Sequence, residues 1–511
     1  INTAGVYILS GTSSDGSVTV KKGITGVVLI LDGLDLTSED SAPIACNKSS
    51  EVTVVAAAGS KNTLTDTEKN NDDNYPDNEN AENAVIKCKD GSKVTLCGTG
   101  ELTVNALGKN GIKSGASTEE DGEACLYIKE LTLTINAGVN DAVNAEALLN
   151  IYSGSITIDA GDDALHCDYI MNVGGEGTAG PTIKVNSCCE GLEAAELNIY
   201  SGNITIYSED DCLNAANSDL SDYGFSLSIY GGTLYMESSS GDGIDSNGTL
   251  KISGGSTTVW TANTADNQPL DADGKITISG GTVLAAGGSF GMGMNIEATQ
   301  PFVVFGNTGT GGGMGQGAQG GTPGEPPTGG AGQGAQSGTP VEPPTGGAGQ
   351  GAQSGTPGEP PTGGAGQDGQ SGTPGEPPTG GGMGQGSVLL NADSAFEIRD
   401  SSGSAVYSGT APYNASYIFY SSPDLTEGSE YTLYSGGVSA AAASAGYTIA
   451  NNSGNAPSKP NDDGTNTEEA NPQTGDSIYP IIFAAVFVAL GGGAAAAAVI
   501  IVRKRSRRGE N

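Results

Sequence analysis

Leu197-Asn198-Ile199-Tyr200-Ser201-Gly202-Asn203-Ile204-Thr205-Ile206 alternates apolar and polar residues on both sides of a Ser-Gly turn. Leu149-Asn150-Ile151-Tyr152-Ser153-Gly154-Ser155-Ile156-Thr157-Ile158 repeats the pattern almost residue for residue, and further copies start at Leu227, Leu250 and Ile276. A period of two puts Leu and Ile on one face of a strand and Asn, Thr, Tyr and Ser on the other. Each copy therefore reads as a pair of short strands with one buried face.

Ahead of most copies stands a four-residue turn: acidic or amide, small, aliphatic, polar. It appears as Asn110-Gly111-Ile112-Lys113, Asp141-Ala142-Val143-Asn144, Asp163-Ala164-Leu165-His166 and Glu190-Gly191-Leu192-Glu193. It continues as Asp211-Cys212-Leu213-Asn214 and Asp242-Gly243-Ile244-Asp245, with a weaker copy at Gln268-Pro269-Leu270-Asp271. The aliphatic positions are spaced by 31, 22, 27, 21, 31 and 26 residues. A repeat of that length with two or three strands and no helical period predicts an all-β solenoid, each repeat one coil. A propeller blade needs about forty residues, and a leucine-rich repeat carries an Asn and helix signature that is missing here. About ten coils at ~4.8 Å give a rod on the order of 50 Å. The general chirality of parallel crossovers makes it a right-handed parallel β-helix.

The chain has 511 residues, 59 of them Asp or Glu and 21 Lys or Arg, for a net charge of −38. Such a surface repels nucleic acid and anionic lipid and attracts divalent cations. The eight cysteines form no CxxC pair, which removes zinc and thioredoxin spacings. An even count permits disulfides outside the cell, and small buried core residues are the plainer alternative.

Composition divides the chain. Residues 1–306 carry the repeat. Residues 307–386 are low complexity, with Glu-Pro-Pro at Glu325, Glu342, Glu359 and Glu376 and GGGMGQG at either end. Too few apolar residues for a core make this a disordered insert. Residues 387–450 return to strand-like patterning and complete or cap the domain. Residues 451–474 are a polar stalk, and 475–511 hold an apolar run from Ile478 to Val502 followed by a basic tail. That run is long enough for a transmembrane helix with the basic end cytoplasmic. Asn471-Pro472-Gln473-Thr474-Gly475 ahead of it resembles a sortase sorting signal. The resemblance implies cleavage between Thr474 and Gly475, attachment to peptidoglycan and a Gram-positive cell surface. Ile1 in place of methionine fits a signal peptide already removed.

Coil stacking gives the turn motif a chemical consequence. Asp141, Asp163, Glu190, Asp211 and Asp242 fall in one column, and Asn144, His166, Glu193, Asn214, Asp245 and Asp271 in a second. Glu146, Asp168, Glu196, Asn217, Asn247 and Asp273 fall nearby. Carboxylates ~4.8 Å apart repel by about 1 kcal/mol in water and by several at an effective dielectric of ~20. Oxygen-only ligands of this kind suit Ca²⁺, and two or more ions along the edge are expected. The alternative is solvated acids that merely cap turns. Tyr152, Tyr200 and Tyr230 share an outward position, with Tyr207 and Tyr235 on the strands that follow. Such rings suit sugar faces, or equally a cross-strand ladder. His166 is the single histidine and stands among acids, and Lys113 occupies the matching position in its own coil. No HExxH or Ser/His pairing singles out a catalytic group.

The ordered motifs Asn62-Thr63-Leu64-Thr65-Asp66, Asn83-Ala84-Val85-Ile86-Lys87, Val94-Thr95-Leu96-Cys97-Gly98-Thr99-Gly100, the Asp-Gly-Ile-Asp turns, Ser421-Ser422-Pro423-Asp424-Leu425 and Tyr431-Thr432-Leu433-Tyr434-Ser435-Gly436-Gly437 are then telling. Together they resemble the calcium-binding β-helix carbohydrate-binding family of clostridial surface proteins. The likeness covers roughly residues 1–306 and 387–440. It implies a pectate-lyase-like shape, bound calcium on the Asp141, Asp163, Asp211 and Asp242 turns, and affinity for cellulose or pectin. Cys188-Cys189, Cys212 and the 17-residue repeat insert depart from the family pattern. Three functions stay open: a non-catalytic polysaccharide binder, a calcium-dependent polysaccharide lyase with Lys113 as base, and a structural surface adhesin.

Overall fold

A computed structural model describes residues 1–220, 223–262, 267–288, 296–306 and 388–448. The expected insert, stalk, cleavage site at Thr474 and Gly475, and transmembrane helix lie outside these residues. Among the described residues no helix is long and apolar enough to cross a membrane.

The repeat folds into coils whose strands line up in three parallel ladders. The first carries the turn motif and runs from Val18–Val20 through Ile44–Cys46, Ala84–Cys88 and Asn110–Ser114. It continues through Val143–Ala145 and the starts of the longer strands at Leu165 and Leu192 to Leu213–Ala215 and Ile244–Ser246. The second begins at Gly5 and ends at Ile296–Ala298, with Leu148–Ile151 as a middle member. The third holds the strand after each glycine turn, including Leu131–Ala137, Gly154–Ala160 and Asn203–Ser208. All-β, parallel and solenoid-like, the architecture follows from the period-two patterning.

Register is what turns that pattern into a core. In the third ladder Val104, Ile135, Ile158, Val185, Ile206, Met236, Val259 and Ala285 sit opposite one another, coil after coil. All are fully buried. The small position of the turn motif is set by the same stacking. A Cβ on Gly191 would lie 2.1 Å from the Cys212 carbonyl oxygen of the next coil. All eight cysteines are free thiols, most of them buried, with Cys46 opposite Cys88 in register.

At the C-terminal end the strand Tyr417–Ser421 runs antiparallel between the second half of Ile276–Gly287 and Phe302–Gly306. Residues on either side of 307–387 thus share one sheet. Ala405–Thr410, Ala395–Arg399, Glu430–Ser435 and Val438–Ser444 form a separate four-stranded antiparallel sheet. Its apolar side packs with Trp260, Leu284 and Phe305 into a second core.

Because Ile135 fills the centre of a stacked column, Ile135→Ala should cost about 2–5 kcal/mol in chemical unfolding. A loss below ~1 kcal/mol would show that coils relax around the cavity.

Candidate functional site

The outward position of the turn-motif ladder runs Ala45, Lys87, Lys113, Asn144, His166, Glu193, Asn214 and Asp245, each opposite the next. Asp271 follows one coil later, where its backbone N–H donates to the Ile244 carbonyl at 2.8 Å. The acidic edge therefore continues from a pair of lysines. Beside it stand Asp141, Asp163, Glu190, Asp211 and Asp242. Their carbonyls accept from the residue after the preceding acid, as in Ala142 N–H to Asp163 and Gly191 N–H to Asp211. The carboxylates add to this. Asp211 Oδ1 accepts the Asp242 N–H at 2.6 Å, Asp242 Oδ1 the Gln268 N–H at 2.6 Å and Asp141 Oδ1 the Asp163 N–H at 3.3 Å.

His166 is the centre of one group. Its Nδ1 lies 3.1 Å from Asp163 Oδ2 and 2.7 Å from Glu193 Oε2, and its Nε2 is 3.0 Å from Asp168 Oδ1. Burial works against an imidazolium, but the hydrogen bonds its N–H groups donate to Asp163, Asp168 and Glu193 outweigh it and hold the ring protonated well above its ordinary range. One imidazolium thus contacts three acids from two coils and offsets one of their charges. Asp168 reaches it from an irregularity between Cys167 and Ile170, and Glu196 lies opposite Ile170. The third set of polar residues is therefore not a single stacked column.

At Asp242, Asp245 and Asp271 no basic side chain pairs with the acids among the described residues. Asp242, Asp245 and Asp271 each bring a carboxylate oxygen within 4.8 Å of the others, as do Asp141, Asp162 and Asp163. Burial drives the Glu190 carboxyl up to about 8, with Glu193, Asp163 and Asp211 adding repulsion against a stabilising Asn214 hydrogen bond. Burial likewise takes Asp211 and Asp242 to about 7 and Asp141 to about 6. Asn214 donates its amide to Glu190 Oε2 at 2.9 Å, while its buried Oδ1 has no donor among the described residues. The same holds for Gln268 Oε1, whose amide reaches Asp271 at 3.3 Å. Asn144 donates to Asp141 at 2.7 Å, and Asp273 is exposed at the end of the edge.

The tyrosines divide. Tyr200 and Tyr230 stack at 4.9 Å with rings 8° apart. Tyr152 stacks on Tyr127 at 6.1 Å, and Gly174 interrupts the column between Tyr152 and Tyr200. Tyr152 and Tyr230 remain 45% and 40% exposed, enough to offer ring faces. Tyr207 meets Tyr235 edge-on at 6.5 Å, but Tyr235 is half-buried beside the C-terminal core and donates its hydroxyl to Glu237.

Sequence patterning left several groups unmarked. Asn172 donates to Asn150 at 2.9 Å and Asn198 to Asn172 at 3.2 Å, an amide ladder alongside the tyrosines. The recurring Leu-Asn-Ile triplets carried that signal. Tyr169, Tyr223 and Phe225 form an aromatic cluster near Glu196, and no period announced it because Tyr169 comes from the strand Leu165–Val173 and the other two from the connection ahead of Ser226–Ile229.

A family described as carbohydrate-binding domain-containing proteins matches residues 1–291. The chain belongs to this family. A carbohydrate-binding domain-containing protein of Acetivibrio thermocellus is 40% identical over 113 residues, 22% of this chain. Those residues span 38% of that relative's length. No solved structure matches. Family membership supports polysaccharide binding by the solenoid that carries the acidic edge and the tyrosines.

The raised carboxyls fix a sign for pH dependence. A group whose pKa is higher folded than unfolded holds its proton in the native state, so its stability contribution is full below the unfolded value and fades as pH rises through the folded one. In chelator, the melting temperature should fall as pH rises from about 4 to about 8. A flat or rising profile in circular dichroism melts would contradict this.

Proposed function

We propose that this chain is a calcium-dependent, non-catalytic binder of plant cell-wall polysaccharides of the cellulose or pectin class, held at the cell surface. The observation that carries calcium is the pair of acceptor oxygens buried among acceptors, Asn214 Oδ1 and Gln268 Oε1. A buried carbonyl oxygen without a donor is costly, and a cation shared with the neighbouring carboxylates would satisfy it. Oxygens on opposite sides of one Ca²⁺ at ~2.3–2.6 Å lie at most about 5 Å apart. Asp242, Asp245 and Asp271 meet that limit, with Gln268 beside them. Glu190 and Asn214 would hold a second ion. A bound ion supplies charge neutralisation between coils and an open coordination position for a sugar oxygen. At the next coil His166 already supplies the positive charge.

Glycan contact falls to the stacked tyrosines, which present apolar faces with hydroxyl edges, while the largely buried amide ladder of Asn150, Asn172 and Asn198 braces the strands beside them. Surface attachment rests on the Asn471–Gly475 pentapeptide, with sortase and peptidoglycan as partners.

Binding to insoluble cellulose and to polygalacturonate, measured by pull-down in Ca²⁺ and in chelator, tests the whole. Retention in Ca²⁺ that drops in chelator is expected, without the ultraviolet absorbance of unsaturated products. Steady product formation would make the protein a lyase, and failure to retain any glycan would leave a structural adhesin. Tyr230→Ala should weaken retention about tenfold, roughly 1.4 kcal/mol, with an unchanged melt. Equal retention would remove the tyrosines from the contact surface.

A further inference from the structure

Lys87 is the anomaly in this acidic chain. It projects from the turn-motif ladder directly opposite Lys113, so two ammonium side chains stack on consecutive coils. Two glutamates are close, and both are engaged. Glu82 takes Lys89 at 2.8 Å, and Glu146 takes Lys113 at 3.6 Å. Lys87 has neither a hydrogen bond nor an ion pair among the described residues, although Glu82 and Glu146 both act on it at longer range. It is only part-exposed, and burial and then the Lys113 charge push its ammonium below the ordinary lysine range. With 59 acids to 21 bases in the chain, leaving one desolvated cation against another is a cost the sequence had ample means to avoid.

We infer that Lys87 and Lys113 form an anion subsite that takes the carboxylate of a uronic acid unit in an acidic glycan. The inference rests on the polysaccharide-binding function above and narrows its ligand. An incoming carboxylate would pair with Lys87 while sharing Lys113 with Glu146. The subsite begins the same column that one coil later becomes Asn144, His166 and Glu193. A polyuronate lying along the column would meet ammonium groups at one end and, at the other, cations held by carboxylates. That arrangement answers how a protein of charge −38 accepts a polyanion.

The test uses the full chain in Ca²⁺ with polygalacturonate, its methyl ester and cellulose as probes. Lys87→Met should weaken polygalacturonate binding at least tenfold, and Lys87→Arg should keep most of it. Lys184→Met, which removes the same charge from the third ladder, should change nothing. The melting temperature of Lys87→Met should hold or rise, because a strained charge has gone; a purely structural lysine would lower it. The methyl ester should bind the wild type and Lys87→Met alike. Polygalacturonate binding by Lys87→Met equal to that of the wild type would overturn the subsite. Wild-type retention of cellulose but not polygalacturonate would overturn it while leaving glycan binding intact. Retention of neither would bring both down.

Discussion

Parallel, in-register stacking of coils at ~4.8 Å is the constraint on which everything else here depends. It forces each side chain to lie beside its counterpart from the next repeat. Inside, that is favourable: Ile135 between Val104 and Ile158 buries apolar surface on both sides without leaving voids. Outside, the same rule sets like charge on like charge. The fold cannot accept one consequence without the other, so whatever chemistry the turn motif carries is repeated along an edge.

That rule also explains what the sequence made legible. The coil length, the strands and the outward run from Asn144 to Asp245 follow from a period of two and a recurring four-residue turn, both local properties. Tyr235 shows where local pattern ends. Its place on the strand is readable, but its covering comes from residues beyond 387, which reach the last coils through the antiparallel strand Tyr417–Ser421. Asp168 shows a second limit. A strand irregularity lets it reach His166, and no spacing of acids predicts an irregularity. Tyr127 was missed for a related reason. It stacks on Tyr152 from a neighbouring outward position and so does not belong to the same sequence column.

Within the acidic edge, neighbouring coils solve one electrostatic problem in different ways. Around His166 an imidazolium is built into the chain and answers three carboxylates. Around Asp141 an asparagine donates to the carboxyl. Around Glu190 and Asp242 no built-in cation is present, burial raises the carboxyls toward neutrality, and amide oxygens are left without donors. In the first two the chain itself supplies a donor to the carboxyls. The third is complete only with a proton or a metal ion, which couples the stability of those coils to what is in solution.

That coupling gives a reason for the acids to persist. Replacing one of these carboxyls with an apolar side chain of similar size would remove both the repulsion and the cost of burying the charge. Retaining them means accepting coils that are held only conditionally. A cation bridging two coils would repay this twice, by adding to the backbone hydrogen bonds that join the turns and by presenting coordination positions to sugar hydroxyls or carboxylates. The lysines at the other end of the column fit the same logic with the sign reversed. A solenoid converts a one-residue choice in each repeat into a line of charge, and its sign can change along that line while the backbone beneath stays the same.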